Sequence, residues 1–253
     1  MKEKKETKQG RRYVQRLMTL VCVTVLGVSA FQLVSILLDY RENGQVMSDI
    51  QLIYEDQQVS MTESSDNREA FDSLLAINDD IVGWITMDGT KIDYPILQAE
   101  DNDYYLDRNY LHDQTRAGSI FMDYRNDITG TDQNTILYGH RMRDGSMFGQ
   151  LDEFLDQDFV SEHNRFYYDT LYDSYEVEIF SAYITTTDFY YIETEFSDLD
   201  EYDSFLNELK AKSDIHTGVE VTKHDHIITL STCDYRLNRD TGRLVVHGKI
   251  VNS

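Results

Sequence analysis

The sequence predicts a mainly β domain, a closed or nearly closed barrel of about eight short strands, behind one N-terminal membrane-spanning helix. Three observations lead there. A 22-residue stretch without charge runs from Leu17 to Leu38. Short alternations of apolar and polar residues recur between turn signals from residue 81 onward. Only a few helical patterns interrupt them, which favours a barrel over an alternating α/β fold. With 253 residues and 41% hydrophobic content the chain can bury a real core.

The charge-free stretch lies between Arg16 and Asp39 and, as a helix, spans roughly 33 Å, about one bilayer core. Lys2, Lys4, Lys5, Lys8, Arg11, Arg12 and Arg16 precede it, against Glu3 and Glu6 alone. The positive-inside rule therefore keeps residues 1–16 in the cytoplasm, passes 17–38 through the membrane and places the rest outside. A cleaved signal peptide ending near Val28-Ser29-Ala30 is the competing reading; the apolar run continues past it to Leu38, longer than a signal's apolar region. The net charge of −23 combines +5 up to Leu38 with −28 after it. So acidic an exported surface repels phosphate and excludes nucleic acid as a partner.

Residues 39–67 are polar, with Val46, Ile50, Ile53 and Tyr54 at roughly helical spacing, and read as an extracellular stalk, either helical or a flexible spacer. The catalytic domain is expected over 68–253. It opens with a short amphipathic helix, REAFDSLLAI, from Arg68 to Ile77. IVGWITMDGTKIDYPIL then alternates around Asp88-Gly89, a hairpin signal. Further strands are expected at 118–124, 134–138, 165–171, 174–185, 226–232 and 243–251. Helices are expected near 147–154 and over 199–213, the latter with Leu199, Phe205, Leu206 and Leu209 on one face. No segment has EF-hand spacing, so the many acidic residues read as wet surface and turns.

Of the two cysteines, Cys22 falls within the apolar run, which leaves Cys233 unpaired in the exported region. An odd exported thiol is either an intermolecular disulfide or a reactive group. A thiol with the reference pKa near 8.5 is only about 3% ionised at pH 7, so a nucleophilic one needs a cation and a proton acceptor nearby. In IITLSTC the residues Ile227, Thr229, Ser231 and Cys233 share a strand face, and the next strand starts at Arg243. Antiparallel pairing of the two sets Arg243 opposite Cys233. For the base, His112, His163 and His216 sit in turn-like surroundings, while His224, Asp225 and His226 form a sparse metal set. His247 shares a strand phase with Arg243, two steps on. His140 ends the strand TILYGH and opens the loop HRMRDGSMFGQ. Chemistry alone prefers His140 to His247 by a modest margin.

TLSTC, followed ten residues after its cysteine by Arg243, together with ILYGH, resembles the sortase family of Gram-positive bacteria. The stretches DDIVGWITMDGTKIDYPILQAEDNDYYL and YGHRMRDGSMFGQL resemble class B sortases in particular, as does the helix placed before TLSTC. The likeness covers roughly residues 70–251 in order, behind the anchor.

The resemblance implies an eight-stranded sortase-type barrel with N-terminal helices and a helix before the penultimate strand. It implies a cysteine transpeptidase that cleaves a C-terminal sorting motif after Thr and joins the protein to an amine through a thioester. Cys233 is then the nucleophile, His140 the general acid and base, and Arg243 the holder of substrate and oxyanion. Asn102, Leu106, Tyr138 and Ser231 match positions that contact the sorting peptide. Asp234 follows the cysteine where a relative has Glu, which shortens any acidic contact from that position. The partners implied are a surface protein with the sorting motif, a peptidoglycan precursor or crossbridge amine or a pilin lysine, and the membrane; no cofactor and no metal are implied. Against this stand a hydrolytic cysteine peptidase, in which water resolves the thioester, and a non-catalytic acidic adhesin.

Overall fold

The computed structural model describes residues 3–60, 67–129 and 131–251. Helix α1 covers Glu3–Ser60. The chain divides into one unit ending at Gln45 and a compact one from Val46 onward. In the first unit the helix is long and apolar enough to cross a membrane, and its side chains from Tyr13 to Val34, Leu17, Leu26 and Phe31 among them, are exposed.

The compact unit is a closed barrel. Its strands are β1 (Ile81–Thr86), β2 (Asp93–Leu97), β3 (Ile120–Met122), β4 (Asn134–Tyr138), β5 (Arg165–Thr170), β6 (Ser174–Thr186), β7 (Ile227–Cys233) and β8 (Gly242–Val251). Around the wall they run β1-β2-β3-β4-β7-β8-β6 and return through β5 to β1. The β1–β2 hairpin forms at the expected Asp88-Gly89 signal, where Gly89 adopts the left-handed φ of +78° that a side chain disfavours. Two contacts are parallel, β2 with β3 and β4 with β7, and each needs a long crossover. The rest are antiparallel.

Alternation along the strands divides their side chains between two apolar clusters. Ile228, Leu230, Leu244 and Val246 fill the interior. Ile227 and Val245, on the other parity, meet helix α4 (Leu199–Lys212) through Tyr202, Leu206 and Leu209. Helix α4 starts where Asp198 accepts from the amides of Asp200 and Glu201, which satisfies two otherwise orphaned donors. The buried face of α4 carries Tyr202 in place of the expected Leu199, which is exposed; the stripe 202, 206, 209 follows the helical period more closely.

The sequence also misplaces one helix. The segment expected to be helical at 147–154 instead has Met147 at φ +52° and a short 3-10 turn at Leu151–Leu155, and the α-helix, α3, comes later at Gln157–Glu162. Met147, Leu151 and Phe154 are all fully buried, and that shared burial imitates a helical stripe.

The polar stretch after Leu38 takes the helical of the two forms expected for it. It is helical to Ser60, and within the compact unit Met47, Ile50 and Tyr54 are buried one or two turns apart. Tyr54 stacks on Trp84 at 4.1 Å between ring centroids and 11° between planes, and its hydroxyl donates to Asp169. Helix α2 (Asn67–Leu75) adds Phe71 and Leu74 to the same cluster. The compact unit therefore begins at Val46, ahead of the boundary expected at 68. Replacing Ile50, which is fully buried, by Ala is expected to lower unfolding free energy by about 2–5 kcal/mol in denaturant titrations. A change below about 0.5 kcal/mol would show that α1 contributes nothing to the barrel.

Candidate active site

Strands β4 and β7 run parallel with Tyr138 opposite Ser231. Continuing that register by two residues brings His140 beside Cys233, although ninety-three positions separate them in sequence. The last ties along this seam are Gly139 N–H to the Ser231 carbonyl at 3.3 Å and Thr232 Oγ1–H to the Gly139 carbonyl at 2.7 Å. On the other side of β7, Cys233 pairs directly with Arg243 of β8, the antiparallel arrangement expected from the sequence. At Gly242 the two segments approach so closely that an added Cβ would lie 2.0 Å from the Asp234 carbonyl oxygen.

These three residues line one cleft of about 240 Å³, together with Asn102, Leu106, Phe121, Tyr138, Gly139, Ser231 and Thr232. All seven residues singled out in the sequence thus come together in a single cleft. Cys233 is a free, half-buried thiol. The His140 Nε2 lies 2.7 Å from the Leu106 carbonyl, an oxygen that only accepts, so this nitrogen carries a proton. Arg243 donates through Nη1 to the carbonyls of Gly242 at 2.9 Å and Asp240 at 3.4 Å. Among the described residues no carboxylate pairs with it, which leaves its charge available to a ligand.

Beneath the cleft lies a charged group that the sequence did not reveal. The enclosed carboxylate of Asp123 accepts from Asn102 Nδ2 at 3.0 Å, Tyr138 Oη at 2.8 Å, and Arg125 Nε and Nη2 at 2.8 Å each. Burial pushes this carboxyl up, but the Arg125 bonds outweigh it and hold it below the usual range. Burial and the Asp123 charge raise the Tyr138 hydroxyl, so it stays a donor. Arg125 also reaches Tyr190 Oη and the Ile192 carbonyl, both at 3.0 Å, fastening the segment before α4 to the wall. Next to it the Tyr191 hydroxyl meets Ser231 Oγ at 2.7 Å. Nothing in FMDYR or TTTDFYYI distinguishes these residues from ordinary strand and loop positions.

The remaining histidines lie elsewhere. His226 Nδ1 faces the Asp132 carbonyl at 2.7 Å, and Asp225 caps Thr222, so neither is committed to a shared site with His224. His247 is fully buried on the Cys233 parity but at Thr229, away from the cleft. Thr229 gives its hydroxyl proton to Asn134 at 2.6 Å, so it accepts from His247 Nδ1 at 2.9 Å, and Nε2 accepts from Tyr183 at 2.8 Å. This neutral tautomer is fully satisfied.

A family model for the sortase domain matches residues 85–251. The chain belongs to the sortase family. Among curated relatives, sortase B of Listeria monocytogenes is 43% identical over 241 residues, covering 95% of this chain and 98% of its own length. Among solved structures, a Staphylococcus aureus sortase B–substrate complex superposes with a TM-score of 0.80 at 40% identity, over 85% of this chain and 99% of that one. Sortase B from Bacillus anthracis in complex with AAEK1 gives 0.76 at 53% identity, with 85% and 99% covered. Sortases are cysteine transpeptidases, and these relatives place this one in class B; a non-catalytic adhesin is set aside. The eight-stranded barrel with its preceding helices is the sortase B architecture.

Burial lowers the pKa of His247 to about 3, below its ordinary value near 6.5. The unfolded chain thus takes up a proton that the folded sortase refuses. The stability this residue contributes is complete above about pH 6.5 and is lost as pH falls toward 3. Urea unfolding at about pH 7, 6 and 5 should show a loss, absent from His247→Asn, of about 0.7 kcal/mol over the first step and about 1.2 kcal/mol over the second, as the slope rises toward its limit of about 1.4 kcal/mol per pH unit. Equal slopes in the two proteins would exclude the buried neutral imidazole as its source.

Proposed function

We propose that this sortase cleaves a C-terminal sorting motif after its Thr and transfers the acyl group to a cell-wall amine, with Cys233 as nucleophile. What carries the proposal is the convergence of Cys233, His140 and Arg243 on one cleft. The Cys233 thiolate attacks the Thr carbonyl carbon, and Arg243 balances the charge that develops on its oxygen. The C–N bond breaks as His140 protonates the departing amine, which leaves a thioester. An incoming amine then gives its proton to His140, attacks the thioester carbon and expels the thiolate. The Leu106 carbonyl stabilises the protonated ring by accepting from Nε2 and leaves the other nitrogen for proton transfer.

Asn102, Leu106, Tyr138 and Ser231 are assigned to the sorting peptide because they line the same cleft. That the S. aureus relative was solved as a substrate complex supports a peptide ligand. The acceptor is the amine of a peptidoglycan precursor or crossbridge, with a pilin lysine as the alternative. Residues 17–38 anchor the enzyme as a single pass, 1–16 remain cytoplasmic, and residues 68–253 carry the extracellular catalytic function, with α1 from Val46 supporting it. Enzyme, surface protein and lipid-linked acceptor then meet at one membrane face.

The full chain in detergent micelles, given a library of sorting-motif peptides with and without amine nucleophiles, tests this reading. Turnover that depends on amine is the expected outcome. Cys233→Ala should lower it at least a thousandfold, and His140→Ala and Arg243→Ala by about a hundredfold or more. Persistent turnover by Cys233→Ala would sink the mechanism, and hydrolysis undiminished by saturating amine would reassign the enzyme as a peptidase.

A further inference from the structure

The residues that follow the two reactive ones are themselves joined. Arg141, next after His140, donates through Nη1 to the Oδ2 of Asp234, next after Cys233, at 2.9 Å. Its other fork, Nη2, reaches Asp152 at 2.5 Å, in the 3-10 turn that closes the His140 loop. The Asp234 side chain is fully enclosed and Arg141 is about one quarter exposed. Asp234 has no place in the cleft lining. Its carboxylate also accepts from Arg236, through the backbone N–H at 2.8 Å, Nε at 2.9 Å and Nη2 at 2.8 Å. Two guanidinium groups and two carboxylates make a neutral cluster, and a forked donor can satisfy both carboxylates at once. Burial pushes the Asp234 carboxyl up, and its bonds to Arg236 with the Arg141 charge bring it below the usual range, so it stays ionised.

The position of this link along the seam gives it its meaning. The β4–β7 ladder ends at Gly139, with Ser231 and Thr232 across from it. The next tie between the two segments is Arg141 to Asp234. His140 and Cys233 therefore lie between a backbone clamp on one side and an ion pair on the other. Within the His140 loop, Phe148 N–H donates to the His140 carbonyl at 3.0 Å, and Arg141 forms an isolated antiparallel bridge with Met147. That fixes the loop on itself; among the described residues, the Arg141 fork is the hydrogen-bonded link that carries the loop across to the cysteine segment beyond the end of the ladder.

We propose that Arg141 is a positioning residue, which acts through Asp234 to hold the His140 imidazole at working distance from the Cys233 thiol. The inference rests on the assignment of those two groups as the reacting pair. Loss of the fork lets the His140 loop drift, which slows proton transfer and leaves the peptide-binding walls of the cleft in place.

The test uses full-length protein in detergent with Cys22→Ser, so that Cys233 is the one thiol. Transpeptidation kinetics are normalised to the titrated active thiol and paired with the pH profile of iodoacetamide alkylation. Arg141→Met should lower kcat tenfold or more with KM within twofold, and should shift the alkylation profile toward that of His140→Ala. Arg141→Lys, which keeps the charge but loses the fork, should fall between, near threefold. Arg236→Met removes the other guanidinium and leaves the cross-segment tie, so its kcat should stay within threefold. Wild-type kcat and alkylation profile in Arg141→Met would overturn the proposal, as would an equal loss in Arg236→Met. If Arg141→Met does not fold, Arg141→Lys decides: wild-type kcat there overturns the proposal and a clear drop supports it. Full activity in His140→Ala would instead overturn the assignment of the pair, whatever Arg141 does.

Discussion

The parallel contact between β4 and β7 is the interaction on which the rest of the site depends. Parallel strands in register end on the same side, so whatever follows Tyr138 meets whatever follows Ser231. A shift of one residue would reverse the face of every side chain on one strand and separate His140 from Cys233. The register is held from within by Leu137 and Leu230, both fully buried, and by the buried bond of Thr229 to Asn134. The antiparallel neighbour β8 then adds Arg243 from the opposite side. His140, just past the end of β4, meets Cys233 of β7 and Arg243 of β8 because two kinds of pairing share β7.

Charge is handled differently in the cleft lining and behind it. Asp123 and Asp234 are enclosed carboxylates, and arginine satisfies each. An enclosed ion pair gives little net stability, since desolvation offsets most of its attraction, yet removing one partner strands the other. Such pairs fix geometry more than they add stability. Asp123 organises two peptide-facing side chains and, through Arg125, the segment before α4. Arg243, by contrast, is bonded among the described residues to backbone carbonyls alone, which orient its guanidinium without neutralising it.

Much of this architecture was legible in the sequence. β4 lies where alternation placed it, β1 and β2 flank the anticipated turn, and the Cys233–Arg243 pairing followed from one short loop. Local signals sufficed because hairpins join neighbours in sequence. The parallel seam was not legible, since no local pattern reports that residues 134–138 pair with residues almost a hundred positions later. Nor were the supports: Asp123, Arg125 and Tyr191 acquire their roles only through partners supplied by distant elements. The helix expected at 147–154 failed for a related reason, because burial of Met147, Leu151 and Phe154 follows from tertiary packing of a reversing loop.

The stacked pair of Tyr54 and Trp84 has a practical consequence. Trp84 is the chain's single tryptophan; it is fully buried, and its indole N–H donates to Asp93 at 2.7 Å. None of these residues borders the cleft. The intrinsic emission of the protein is therefore an optical gauge of whether α1 stays docked against β1, readable during catalysis and without a label.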